Sequence, residues 1–195
     1  MEELFAVTLA YLAGSVPFAF LLTRRRGVDL RRVGSGNIGA ANVLRASGVR
    51  AALTTIGLDA VKGAVAVLVA DRLTGGPATP VAAGLASIIG HVYPVWLRFR
   101  GGKGVATAAG VFAVLTPAAV AAAGVVFVAV IWATRYVSVG SMTAAVTLAA
   151  AAVSSGGPTA VSVGAVIAAL IIIERHRGNL GRLAAGTERR LGQRI

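Results

Sequence analysis

The sequence contains no cysteine, only two histidines and few charged residues. Without cysteine the chain has no disulfide, no catalytic thiolate and no Cys-ligated metal. The two histidines, His91 and His176, are too few for a histidine-cluster metal site, so we expect neither a metal nor a cofactor. Charged residues make up 13% of the 195 residues, which is about half of the share that is usual in a soluble domain.

Apolar residues make up 56% of the chain, which has a mean hydropathy of +0.80, and they occur in long runs. Such runs are typical of membrane-spanning helices rather than of a soluble core. The first run follows Glu2 and Glu3 and lacks the basic start and the cleavage site of a secretory signal, so we expect it to remain as a span. The sequence therefore predicts an all-α integral membrane protein in which residues 1–195 form one polytopic domain.

Hydropathy predicts seven transmembrane helices. The predicted spans are residues 4–23, 53–70, 79–97, two short helices within 105–134, 139–153 and 159–173. The stretch 105–134 is too long for one untilted span and short for two, and Thr116-Pro117 near its middle could kink one helix or begin a second. Two short helices are predicted, because a single one would place the arginine-rich C-terminal tail outside. An arginine triplet directly follows the first span and places that end in the cytoplasm, so the N-terminus is predicted outside and the C-terminus in the cytoplasm.

The basic residues follow this topology. All 19 of them except Arg72 and Lys62 fall in segments predicted to face the cytoplasm, so the net charge of +12 requires no nucleic acid as a partner. Within the second span, Asp59 and Lys62 lie three positions apart. Charges inside a span are costly, so this pair either neutralises itself or contacts a substrate.

Glycine, serine and asparagine concentrate on the predicted cytoplasmic side. Residues 34–45 (GSGNIGAANVLR) combine three glycines with Ser35 and Asn37, before a short predicted helix that carries Arg45. Successive backbone N–H groups in such a segment can bind an anion, and an arginine suits phosphate. The alternative interpretation is a flexible glycine-rich loop.

Two further polar clusters lie on the same predicted side. Residues 101–104 (GGKG) precede a helix, so their amides and the Lys103 ammonium suit a phosphate group; the segment is not a Walker A loop and does not imply ATP. The other cluster is split between Ser141, near the start of the sixth span, and the His176–Asn179 pair after the seventh. On a continuing helix this pair shares one face, although a single histidine there is also typical of an interfacial hydrogen bond.

Five motifs occur in order along the chain: residues 14–18 (GSVPF), 34–37 (GSGN), 59–63 (DAVKG), 90–104 (GHVYPVWLRFRGGKG) and 176–179 (HRGN). With them the chain resembles, over nearly its whole length, the bacterial acyl-phosphate:glycerol-3-phosphate acyltransferases, the PlsY family. The resemblance implies a seven-helix enzyme of the bacterial inner (plasma) membrane with a cytoplasmic active site. The implied reaction moves a fatty acyl group from acyl phosphate to the 1-hydroxyl of sn-glycerol 3-phosphate, giving lysophosphatidic acid and phosphate in the first step of phospholipid synthesis.

The residues agree with acyl phosphate as the donor. The His-x-x-x-x-Asp pair of the acyl-CoA-dependent acyltransferases is absent, because Trp96 and Gly181 stand five positions after the two histidines. Acyl phosphate is a mixed anhydride with a good leaving group, so a covalent enzyme nucleophile is not required. Each substrate carries a phosphate of roughly −1.5 to −2, and the site must therefore hold about four negative charges.

The resemblance also implies roles for individual residues. Catalytic roles fall on Ser35, His176 and Asn179, and substrate binding falls on Arg45, Lys103, Gly101, Gly102, Gly104, Asn37 and Ser141. Glu188 matches a family glutamate, which we expect to support the site by pairing with an arginine. The general base stays open between His176 and a phosphate oxygen of the substrate. Ile38 and Ala41 depart from the family's usual proline and threonine, which argues against a direct substrate role for residue 41.

The competing interpretation is a small organic-anion transporter or channel whose inner mouth is lined with cations. Such a protein needs polar residues along a path through its spans. Apart from Asp59, Lys62 and scattered serines and threonines, the predicted spans contain none. We therefore expect an acyltransferase whose partners are acyl phosphate, glycerol 3-phosphate and membrane lipid.

Overall fold

Helices account for all regular structure in residues 1–193, the part of the chain that the computed structural model describes. The helices are α1 (Glu2–Gly14), α2 (Phe18–Arg24), α3 (Ala40–Leu73), α4 (Ala78–Val92), α5 (Val105–Leu115), α6 (Pro117–Thr134), α7 (Val137–Ser154), α8 (Thr159–Arg175) and α9 (Arg177–Ala184). A short 3-10 helix, Val95–Leu97, follows α4. The prediction of an all-α fold is confirmed.

Several of these helices are long and apolar enough to cross a membrane. Five segments meet this condition: Glu2–Arg24 (α1 with α2), Ala40–Leu73, Ala78–Leu97, Pro117–Thr134 and Val137–Ser154. A sixth is added if α8 and α9 form one span bent by 51°. The 11 residues of α5 reach about 17 Å, less than the roughly 30 Å of a hydrocarbon core. Helical segments thus occupy all seven predicted positions, but the number of spans and the orientation of the termini stay predictions.

The predicted break near Thr116-Pro117 is confirmed. α5 ends at Leu115 and α6 begins at Pro117, with Thr116 between them at φ −155° and ψ 76°. Proline suits the first position of a helix because the N–H that it lacks has no partner there. The two halves join different neighbours, since α5 packs against α3 and α4 while α6 packs against α7.

α3 begins earlier than the sequence predicts. The predicted span starts at residue 53, whereas α3 starts at Ala40 and runs to Leu73. Gly48 interrupts it with φ 81° and ψ 179°, a conformation that glycine adopts without steric cost. The short helix expected around Arg45 is therefore the first part of α3, and Gly48 separates it from the part that can cross a membrane.

Small residues bring the helices close together. Alanines are buried between α1, α3 and α4: Ala6, Ala10, Ala66, Ala70, Ala83 and Ala86. A Cβ added at Gly110 of α5 would lie 1.8 Å from the carbonyl oxygen of Ala60 in α3, and one added at Gly63 of α3 would lie 2.3 Å from that of Thr107 in α5. Close backbone contact of this kind is how helices associate in lipid. It holds the start of α5, and with it residues 101–104, beside α3.

We expect Gly110→Ala to lower the free energy of unfolding by about 1–3 kcal/mol, because the new methyl group overpacks the contact with Ala60. Gly124→Ala in α6 is the matched control, since a Cβ there meets nothing within 4 Å. The measurement is thermal unfolding of both variants in detergent. Equal midpoints for the two variants would contradict the close contact between α3 and α5.

Candidate active site

Asn42 holds the loop that carries Ser35. Its Oδ1 accepts a hydrogen bond from the Ser35 N–H at 3.1 Å, and its Nδ2 donates to the carbonyl oxygens of Leu30 at 3.1 Å and Val33 at 2.9 Å. Asn42 is buried, so these bonds satisfy an amide that has no access to water. Ser35 itself is exposed, and the backbone N–H of Asn37 lies 3.5 Å from its hydroxyl oxygen. Asn42 thus fixes the backbone of the loop, while the Ser35 side chain stays accessible to a ligand.

The glycine loop, residues 101–104, turns back onto the end of α4. The N–H of Gly101 donates to the carbonyl oxygen of Val92 at 3.0 Å, and the N–H of Gly102 donates to that of His91 at 3.1 Å. A Cβ added at Gly101 would lie 2.1 Å from the His91 carbonyl oxygen, so no larger residue fits there. The loop is therefore held against α4 by its backbone.

Lys103 and the start of α5 are what the glycine loop presents to a ligand. Gly104 has φ 85°, and the helix begins at Val105. The first N–H groups of a helix have no partner within it, so they are available to an anion beside the lysine. The amides of Gly101 and Gly102 already donate to α4. These two N–H groups therefore fix the loop, and the predicted role of Gly101 and Gly102 in substrate binding stays a prediction.

The C-terminal tail brings Glu188 into the site. The N–H of Leu191 donates to the carbonyl oxygen of Arg135 at 2.6 Å, and Arg135 Nη2 donates to the Leu191 carbonyl oxygen at 3.1 Å. Arg190 Nε donates to the hydroxyl oxygen of Tyr136 at 3.2 Å. These contacts fix the tail against the turn between α6 and α7, and Glu188 precedes them.

Glu188 accepts hydrogen bonds from three side chains. Its Oε1 accepts from Asn179 Nδ2 at 2.6 Å and from the Ser138 hydroxyl at 2.7 Å, and its Oε2 accepts from Arg182 Nε at 2.7 Å. The Lys103 ammonium donates to Asn179 Oδ1. Asn179 therefore links the glycine loop to the tail. The expected pairing of Glu188 with an arginine is confirmed.

Positive charges crowd around Lys103. Burial lowers the pKa of Lys103 to about 8; the Glu188 carboxylate opposes this shift, whereas the guanidinium groups of Arg182, Arg175 and Arg45 add to it. Burial also acts to raise the pKa of Glu188, but the hydrogen bonds that it accepts hold its pKa below the usual value. Three arginines and one carboxylate, which stays ionised, therefore lie near Lys103.

His176 is buried at the junction of α8 and α9, beyond the apolar part of α8. Its Nδ1 lies 2.7 Å from the carbonyl oxygen of Ile172. A carbonyl can only accept, so Nδ1 carries the proton, and the lone pair of the neutral ring is on Nε2. Burial, followed by the charge of Lys103, lowers the pKa of His176 to about 4, so the ring is neutral near pH 7.

Ser141 does not join the network around Glu188. Its hydroxyl donates to the carbonyl oxygen of Val137, at 2.8 Å in its own helix. The serine one turn earlier, Ser138, makes the contact instead. The sequence signal for Ser138 is weak, because its partner lies 50 positions further along the chain.

Sequence reasoning leaves four contributing residues without a role: Asn42, Ser138, Arg175 and Arg182. The two arginines flank the predicted His176–Asn179 pair, and this proximity was the available signal. In the sequence analysis, the positive charge of these two arginines is explained only by their predicted position on the cytoplasmic side. In the structure Arg182 binds Glu188, and the Arg175 guanidinium lies 5.4 Å from the centre of the Tyr93 ring, a stacking contact that orients it.

The arrangement suits an anion. Positive side chains outnumber negative ones around Lys103, and the first N–H groups of α5 add donors. Within residues 1–193, no group of three or more histidine, aspartate or glutamate side chains is placed to hold a metal ion. The fold and the site thus define a helical membrane protein with a cluster of cations suited to phosphate groups.

Comparison with known proteins agrees with this class. A family model described as glycerol-3-phosphate acyltransferase matches residues 4–186. Proteins named glycerol-3-phosphate acyltransferase from Myxococcus xanthus and Thermus thermophilus are 50% and 48% identical to the chain, over 94% and 96% of it and 97% and 94% of their own lengths. The chain belongs to the glycerol-3-phosphate acyltransferase family, as the sequence resemblance predicts.

Solved structures give the same result. The chain is similar to two crystal structures of PlsY (YgiH), an integral membrane glycerol 3-phosphate acyltransferase, one in its glycerol 3-phosphate form and one in its lysophosphatidic acid form. The TM-scores are 0.94 and 0.92, at 40% and 39% identity. Each comparison covers 98% of this chain and 96% of the other.

We expect Glu188→Gln to lower the free energy of unfolding by about 1–3 kcal/mol, because it removes the negative charge that accepts hydrogen bonds from three side chains. The folded-state pKa of Glu188 is lowered, so this stability is present above the ordinary carboxyl pKa of about 4.5 and is lost as the pH falls through the folded value. Chemical unfolding at pH 7 and pH 4 measures both effects.

The control for this variant is Glu174→Gln, which removes an exposed ion pair with Arg177. Exposed pairs contribute about 0–1 kcal/mol, so we expect little change at either pH. Equal losses in the two variants would show that Glu188 does not hold the cations together.

Proposed function

We propose that this protein transfers a fatty acyl group from acyl phosphate to the 1-hydroxyl of sn-glycerol 3-phosphate, releasing lysophosphatidic acid and phosphate. The observation that carries the proposal is the position of Arg45, Arg175 and Arg182 around Lys103, in a chain of this family. The two substrates together bring about four negative charges, which match these cations. The similar PlsY structures, in forms with glycerol 3-phosphate and with the lysophosphatidic acid product, support the choice of acceptor.

The reaction needs orientation and charge stabilisation more than a strong nucleophile. The 1-hydroxyl oxygen attacks the acyl carbonyl carbon, a C–O bond forms, the bond from the acyl carbon to the phosphate oxygen breaks, and phosphate leaves. Lys103 and the start of α5 hold the glycerol 3-phosphate phosphate, with Gly101, Gly102 and Gly104 around it. Arg45 and Arg175 stabilise the charge on the acyl phosphate as the bond breaks.

Polar side chains orient the reacting oxygens. Ser35, Asn37, Ser141 and Asn179 fill this role in the proposal, with Asn179 already directed at Lys103. Because Nδ1 of His176 donates to Ile172, its Nε2 accepts a hydrogen bond from the substrate hydroxyl and orients it.

A substrate phosphate oxygen takes the hydroxyl proton in this proposal. The lowered pKa of His176, about 4, makes it a weak base near neutral pH. The second pKa of a phosphate, about 6, is better matched to the reaction. Of the two bases that the sequence leaves open, the phosphate is therefore favoured.

The proposal places the protein in the bacterial plasma membrane as a seven-span protein with its N-terminus outside and its C-terminus cytoplasmic. The distribution of arginines supports this orientation, since the sides of the predicted spans differ strongly in positive charge. α5 is short for a span, but it packs against α3 and α4, so protein rather than lipid surrounds much of it. The site then faces the side from which water-soluble glycerol 3-phosphate arrives.

The first test is phosphate release by the purified protein in lipid, with palmitoyl phosphate and glycerol 3-phosphate as substrates. We expect release that depends on glycerol 3-phosphate and yields lysophosphatidic acid. Lys103→Ala should lower kcat/KM about 100-fold, the effect of losing one charged hydrogen-bonding group. Arg72→Ala, an exposed charge at the far end of α3, should leave it unchanged. Folded wild-type protein without acyl transfer would contradict the proposal and favour an anion transporter.

A second prediction concerns pH. With a pKa of about 8, Lys103 loses its charge between pH 7 and pH 9, and about one tenth of it stays protonated at pH 9. The KM for glycerol 3-phosphate should therefore rise about tenfold over this range. In Lys103→Arg the side chain stays charged, so its KM should stay flat even if it is higher throughout. Parallel profiles for the two proteins would show that Lys103 does not bind this phosphate.

A further inference from the structure

A buried cluster of charged and polar groups lies next to the glycine loop and is not used in the proposed reaction. Lys62 Nζ lies 2.8 Å from Asp59 Oδ1, 3.0 Å from the carbonyl oxygen of Val16 and 3.0 Å from His91 Nδ1. The side chains of Lys62, Asp59 and His91 are 5%, 4% and 9% exposed. The Phe18 ring, with its centre 5.6 Å from Nζ, covers another side of the ammonium.

The ammonium joins three parts of the chain. Val16 lies in the break between α1 and α2, Asp59 lies in α3 beside Lys62, and His91 lies near the end of α4. An ammonium has three N–H groups, and three acceptor atoms lie within 3.0 Å of it. A lysine ammonium can only donate, so Nδ1 of His91 is the acceptor in their 3.0 Å contact and the ring carries a proton on Nε2; Asp59 Oδ1 lies farther from Nδ1, at 3.5 Å.

His91 connects the buried cluster to the glycine loop. Its carbonyl oxygen accepts the N–H of Gly102 at 3.1 Å, and the next carbonyl oxygen, of Val92, accepts the N–H of Gly101 at 3.0 Å. A Cβ added at Gly102 would lie 2.2 Å from His91 Nε2, so the imidazole occupies the space beside this glycine. Both the ring and the backbone of His91 therefore contact the loop that carries Lys103.

Neutralisation alone does not explain the cluster. Two charges buried beside a membrane are costly, and apolar residues of the same volume commonly stabilise a fold as well as a buried ion pair does. The space left inside the cluster is about 10 Å³, which is room for at most one water molecule, so it is not a substrate pocket. What the ion pair provides and an apolar pair does not is directed bonds to Val16 and His91.

We propose that Asp59, Lys62 and His91 are positioning residues that fix the glycine loop and so place Lys103 for phosphate binding. The proposal rests on the proposed function, because it assigns glycerol 3-phosphate to this loop. None of the three residues touches the substrate. Loss of the cluster should therefore weaken the binding of glycerol 3-phosphate more than it affects the acyl phosphate or the chemical step.

The kinetic test compares the wild type with the double variant Asp59→Asn/Lys62→Met, which removes both charges and keeps the side-chain shapes. We expect the KM for glycerol 3-phosphate to rise at least tenfold, while kcat and the KM for palmitoyl phosphate change less than threefold. The control is Thr55→Val, also buried in α3, whose hydroxyl donates only to Ala51 of its own helix. An unchanged KM for glycerol 3-phosphate, or an equal loss in every parameter together with a lower unfolding midpoint, would overturn the proposal.

A spectroscopic test does not depend on activity. The chain has only two histidines, so ¹⁵N-histidine labelling gives two rings, which His176→Gln assigns. We expect opposite tautomers in the wild type: His91 protonated on Nε2 and His176 protonated on Nδ1. The double variant should shift the His91 signals and leave those of His176 in place.

The two tests separate the two hypotheses. A His91 ring protonated on Nδ1, or signals that do not respond to the double variant, would rule out the positioning cluster even if the enzyme is active. Wild-type protein that shows the expected tautomers but transfers no acyl group would instead refute the assigned substrate, and with it the role given to the loop.

Discussion

Repulsion between like charges is the constraint on which the site depends. Lys103 and three arginines lie close together at the end of an apolar helix bundle, and the burial of Lys103 strengthens its repulsion from them. One carboxylate, Glu188, offsets part of this charge and is held by donors from α7 and α9. The site keeps a net positive charge, which an anionic substrate neutralises when it binds. Binding of the substrate therefore also balances the positive charge of the site.

The helix packing determines how such a site forms from distant parts of the chain. Gly63 and Gly110 let α3 and α5 touch through their backbones, and this contact fixes where α5 begins. Because the helix breaks at Thr116, α6 packs against α7, whose first turn carries Ser138. The loop before α5, the start of α7 and the end of α8 thus meet at one end of the bundle. A long helix through Thr116 would not allow this arrangement, because α5 and α6 would then share one axis and one set of neighbours.

Local features of the site could be predicted from the sequence, and distant ones could not. Lys103, His176 and Asn179 stand in short motifs whose composition is itself unusual, and Pro117 marks a break because of its covalent structure. Glu188 and Ser138 are 50 positions apart, and only the folded tail brings them together. The short helix around Arg45 was predicted, but its continuation into the span was missed, because Gly48 interrupts α3 without ending it. The hydrogen bonds of Gly101 and Gly102 depend on where α4 ends, which hydropathy does not define.

Lysine and arginine differ in how they fit a buried site. Only two of the 19 basic residues are lysines, and both lie in or beside the glycine loop. A guanidinium is flat and wide, whereas an ammonium is compact and directs three N–H groups to acceptors on different sides. The space around Lys62 offers three such acceptors within 3.0 Å and room for little else. The compact ammonium of Lys62 therefore suits a place where one buried cation must join several parts of the fold.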